Sequence, residues 1–119
     1  MVDLTPLVPF TPKKTIKALP SWAKNDVYWF SSLSILCSIV DKHPAKFHNL
    51  LYFVDLDEST IDFFAIKRVV SSCSQERVMV NLAAGLFSNT HEFNLSSLDC
   101  LDEGNMKLAL KAIKLRFRK

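Results

Sequence analysis

The side chains in this sequence able to ligate a metal or attack a substrate are three histidines, three cysteines and one cluster of carboxylates. His43 and His48 are five residues apart, which turns them to different sides of a helix, whereas one metal ion needs ligands on a shared face. His91 stands isolated, and none of Cys37, Cys73 and Cys100 lies near a histidine at zinc-ligand spacing. Asp55, Asp57 and Glu58 form an acidic patch suited to a hard cation. The further oxygen ligands and the glycine that a calcium loop requires are missing, so a turn with a helix cap accounts for the patch better. The cysteines sit in apolar or serine-rich stretches with no histidine placed to activate a thiol. Only Gly85 and Gly104 occur, which argues against a glycine-rich phosphate cradle, where backbone must approach its ligand closely. These patterns predict no catalytic residue, no cofactor and no metal, and the chain is read as a non-enzyme.

The sharpest pattern is one of charge. The net charge is +3, and the final thirteen residues, 107–119, hold six basic side chains and no acid. On a helical wheel, Lys107, Lys111, Lys114 and Arg118 fall within a stripe of about 60°. Ala109, Leu110, Ala112, Ile113 and Phe117 take the other side, with Arg116 in their midst. Burying an unpaired guanidinium costs several kcal/mol, so Arg116 is expected to be less exposed than Lys111 and to meet a carboxylate or main-chain oxygens. The stripe has three readings: a solvated helix face, a dock for an acidic protein surface, or a contact with nucleic-acid phosphates. The last is the weakest, because the domain is only mildly basic and no aromatic residue interleaves with the lysines.

The elements that must position these residues follow from apolar periodicity. At 119 residues and 49% apolar composition, the chain suits one domain with one core. Residues 1–20 carry Pro6, Pro9, Pro12 and Pro20, and are expected to form an extended arm anchored on the domain by Leu7, Val8 and Phe10. The same proline spacing, followed by Lys13 and Lys14, also resembles a peptide ligand for an aromatic groove. Residues 21–119 are then the single helical domain.

A helix is predicted over 24–42, with Asp26 in its first turn and an apolar arc of Trp29, Leu33, Leu36, Cys37 and Val40. Opposite lie Lys24, Ser31, Ser34, Ser38 and Lys42, read as a solvated face in preference to a small-residue seam against another helix. Pro44 opens a second helix through Phe47, Leu50, Leu51 and Val54, followed by a turn or cap over 55–59. The run 61–70 is a short helix or irregular, and a polar break at 71–74 supplies a cap. The helix over 75–88 buries Met79, Leu82, Ala83, Leu86 and Phe87 and is expected to be central. A helical turn around 95–101 precedes the last helix, for which Asn105 is the natural cap. The fold class is therefore all-α, a compact bundle of four to six helices behind an extended arm.

An odd, sparse set of cysteines reads as reduced thiols. The longest uncharged stretch, 27–40, is 14 residues and contains four serines, short of the roughly 20 apolar residues of a membrane span. With no secretory signal visible, a cytoplasmic location without membrane attachment is expected.

Asn25, Asp26 and Tyr28, then Arg77, Asn81, Leu82 and Ala83 with Phe87 and Asn89, then Leu101, Asp102 and Asn105, and finally Ala112, Ile113, Leu115, Arg116 and Phe117 form a pattern spanning 25–117. It resembles a family of small uncharacterised proteins of Gram-positive bacteria and their phages. The resemblance lends no functional residue. It implies an accessory protein of a phage or mobile element, a class that often acts by binding a host protein. The functional expectation is a protein–protein interaction module, possible as a homodimer, using the lysine stripe and the arm. A nucleic-acid-binding protein using the same basic helix is the alternative.

Overall fold

The computed structural model describes residues 21–55, 57–88 and 91–117. Among them the chain forms six α-helices, two 3-10 helices and one minimal hairpin, so the all-α expectation holds. The expected arm over 1–20 lies outside the described residues, as does Arg118.

Helix α1 (Ser21–Asn25) is followed at once by α2 (Val27–Lys42). The sequence reading has one helix starting at 24. Instead, Asp26 separates the two, because its carboxylate accepts from the backbone N–H of Tyr28 (2.9 Å) and of Trp29 (3.4 Å) and so caps α2. The expected apolar arc is buried, but so are Ile35, Ile39, Ser31 and Ser32. The expected solvated serine face is therefore wrong. Ser31 and Ser32 have no exposed surface, and Ser34 and Ser38 are half-buried.

The hydroxyls tolerate burial because each has an acceptor. Ser31 donates to Val27 O (2.6 Å), Ser34 to Ser31 O and Ser38 to Ser34 O (2.7 Å each). Ser32 reaches across to Ala83 O of the neighbouring helix at 3.0 Å. Small side chains with satisfied hydroxyls let neighbouring helices close onto α2, which is the seam reading.

Pro44 opens α3 (Pro44–Phe47), where its missing N–H costs no helical bond. The expected continuation to Val54 tightens into a 3-10 helix, His48–Phe53, which still buries Leu50 and Leu51. Strands β1 (Val54–Asp55) and β2 (Thr60–Ile61) pair antiparallel with Val54 opposite Ile61. The acidic patch is their turn: Asp55 Oδ1 accepts from Glu58 N at 3.0 Å, and Ser59 has φ of 56°. The ambiguous run resolves as α4 (Phe63–Val69), capped by Asp62, whose carboxylate accepts from Ala65 N at 3.1 Å.

Helix α5 (Ser74–Phe87) follows the polar break and buries Met79, Val80, Leu82, Ala83, Ala84 and Leu86. Its capping residue is Cys73, with no side-chain cap bond. It packs on α2, α4 and the 3-10 helix Leu95–Cys100. The expected central position of α5 is shared with α2, which is covered by α1, α3, the first 3-10 helix and α5, because the serine seam opens a second side of α2 to packing. The returning loop lies tight on α5, since a Cβ at Gly85 would meet Phe93 Cβ at 3.2 Å.

Helix α6 (Glu103–Arg116) packs on α2 and α5. Its cap is Asp102, which accepts from Asn105 N at 2.8 Å, and Asn105 is not the cap the sequence reading made it. Asn105 sits in the first turn with 7% of its surface exposed and belongs to a clasp. Its Oδ1 accepts from Lys42 Nζ (3.1 Å) and its Nδ2 donates to Gln75 Oε1 (3.1 Å). That oxygen also takes Asp102 N at 2.9 Å, while Gln75 Nε2 donates to Cys100 O. Three helices are thus joined through side-chain amides at one end of the bundle.

Candidate interaction surface

Helix α6 turns a narrow seam inward. Ala109 and Ala112 have no exposed surface, and their small size lets α6 approach its neighbours closely. At about 100° per residue, Leu110 and Phe117 lie roughly 110–130° from the middle of that seam, on the border between it and the lysines. Apolar periodicity places both on the buried side. They are 49% and 64% exposed, because the alanine contact is too narrow to cover its flank.

Arg116 lies near the centre of the inward face and is half-buried, whereas Lys111 is exposed. Its Nε donates to Leu86 O at 3.0 Å, which supplies the expected main-chain oxygen. Leu86 belongs to the last turn of α5, where carbonyls have no intrahelical donor and α5 itself offers no basic residue. Arg116 supplies both the donor and a positive charge at that negative helix end. Its guanidinium also lies 3.7 Å from the Tyr28 ring centroid and 4.9 Å from that of Phe117.

These contacts collect aromatic residues at one end of the bundle. Trp22 meets Trp29 edge-to-face with ring centroids 5.1 Å apart, Trp29 meets Phe87 at 5.0 Å, and Phe87 meets Phe63 at 5.7 Å. Trp29 is buried, but Trp22 and Tyr28 emerge at the surface, 42% and 39% exposed. The sequence reading singled out neither as a surface residue. Their only signal was position, beside the Asp26 cap that starts α2 and on the side where the ends of α5 and α6 arrive.

Lys107, Lys111 and Lys114 are all exposed on the outward face of α6, as the wheel requires. Lys107 forms an exposed pair with Glu103 at 3.4 Å, a contact worth little in water. Lys111 also borders a crevice of about 100 Å³ between α2 and α6, lined by Ser34, Cys37, Ser38, Asp41 and Leu108. Burial, with the Asp41 carboxylate adding to it, pushes the Cys37 thiol far above its usual range, so this cysteine is a neutral thiol at physiological pH.

His43 packs edge-on to Phe47 and His48 to Tyr52, so their rings face different neighbours. Among the described residues, no three His, Cys, Asp or Glu side chains converge on a point where a metal ion would sit. No described helix is long and apolar enough to cross a membrane. No protein-family model, curated protein or solved structure matches this chain.

Proposed function

We propose that this chain is a non-enzymatic protein–protein interaction module, an accessory protein of a phage or mobile element that modulates a host system by binding one of its proteins. The observation that carries the binding role is the outward face of α6, where exposed Lys107, Lys111 and Lys114 run beside exposed Leu110 and Phe117. Two large apolar side chains left in water on one strip, bordered by cations, suit a small apolar contact with a polar rim. The phage or mobile-element setting rests on the motif likeness alone.

The test is photo-crosslinking in host lysate from a reactive residue at position 110. A discrete protein adduct that disappears when Lys107, Lys111 and Lys114 are changed to glutamate is expected. A nuclease-sensitive adduct would favour the nucleic-acid alternative, and an adduct of twice the chain mass would make this a homodimer. An adduct indifferent to the three substitutions would sink the proposal.

A further inference from the structure

We propose that the partner element received by α6 is an acidic amphipathic helix, seated with its apolar side on Leu110 and Phe117 and its carboxylates on Lys111 and Lys114. This deepens the interaction reading and rests on it. Leu110 and Phe117 are seven residues apart, so they share one strip and stand about 10 Å apart along the axis. A partner helix repeats its own side chains with that same two-turn period, which lets ridges of one fit between residues of the other. The backbone of α6 is hydrogen-bonded within itself and offers no strand edge, so recognition here runs through side chains.

The charge of the partner follows from the border of the strip. Lys111 and Lys114 have no ion pair among the described residues, and residues 107–119 hold no acid, so the face is left with cations to be matched. A second copy of this chain fits poorly. An isologous contact through α6 would set lysines against lysines across the two-fold axis. A single-stranded nucleic acid fits poorly too, because no aromatic residue interleaves with the lysines and nearby Tyr28 already has the Arg116 guanidinium against its ring, at 3.7 Å. That same guanidinium, tied to Leu86 O, braces the end of the surface before any partner arrives.

The probe is a synthetic helical peptide of about 18 residues, long enough for helix to persist, with leucines on one stripe and glutamates flanking them. It is titrated against the full chain by fluorescence anisotropy, beside a scrambled peptide of identical composition and a thymidine oligonucleotide. The amphipathic peptide is expected to bind at least about tenfold more tightly than the scrambled one. Leu110→Asn should weaken it about tenfold with its salt dependence kept, because the substitution adds no charge, whereas Lys111→Glu with Lys114→Glu should weaken it and flatten the salt dependence. All three positions are exposed, and an unchanged circular dichroism spectrum shows that the variants fold. Equal binding of the two peptides, indifference to Leu110→Asn, or preference for the oligonucleotide would each overturn the proposal. A lysate adduct that depends on the lysines, from a chain that ignores the amphipathic peptide, would discard the helix and keep the interaction module.

Discussion

Arg116 shows how much one side chain does when its polar end has a place to go. It lies on the inward side of α6, donates to Leu86 O at 3.0 Å and stacks over Tyr28 at 3.7 Å. Replacing it by alanine removes a charge-assisted hydrogen bond and a cation–π contact together, with an expected loss of about 2 kcal/mol. Arg116→Lys should recover less than half of that, since an ammonium has no planar face to lay on the ring. Urea denaturation with an unchanged slope measures both. An Arg116→Ala midpoint equal to that of the parent would show that these two contacts contribute nothing. The stranded cation was legible in the sequence because a wheel places it among Ala109, Ala112 and Ile113. Its acceptor was not, because Leu86 is thirty residues away and a backbone carbonyl carries no sequence signature.

At the scale of elements, caps and seams decided what periodicity left open. Asn105 illustrates the difference between two local roles that share residue types. A capping asparagine contributes about 1 kcal/mol through one bond, but here Asp102 fills that place. Asn105 instead accepts from Lys42 and donates to Gln75 while almost fully buried. Asn105→Ala is therefore expected to cost about 2–3 kcal/mol, and Asp102→Ala about 1 kcal/mol, measured as thermal or chemical midpoints. The reverse order would mean that Asn105 acts as a cap and the clasp is incidental. The serines of α2 teach the same point. Serine suits a solvated face and a close helix seam equally by composition, and only the covering of Ser31, Ser34 and Ser38 by other parts of the chain separates the two.

Across the whole molecule, stability depends on contacts between segments far apart in the chain, and one of them titrates. His91, in the loop after α5, has its Nε2 3.4 Å from Lys67 Nζ on α4. Burial and the Lys67 charge hold its pKa below the ordinary 6.5, with Glu92 opposing them. The unfolded chain then binds the proton more readily than the folded one, so stability rises with pH through this window. The contribution is complete above about pH 6.5 and is lost as pH falls through the lower folded value. Denaturation midpoints are expected to fall between pH 7.5 and 5, and His91→Gln should flatten that decline. An unaltered decline in the variant would assign the pH dependence to other groups.

The sequence by itself determined the class of the fold, the approximate extent of the last helix, the position of the α5 helix and the awkward place of Arg116. All of these follow from the helical repeat of apolar side chains and from residues with strong local preferences, such as Pro44 and Asp26. Tertiary structure alone decided that the serine face of α2 is largely covered, that Asn105 is a clasp and that Leu110 and Phe117 emerge beside the lysines. A wheel ranks the sides of a helix, but the size of the neighbour pressed against it sets how wide the covered side is. Here two alanines make that contact narrow, and the flank they leave uncovered is the surface proposed to bind.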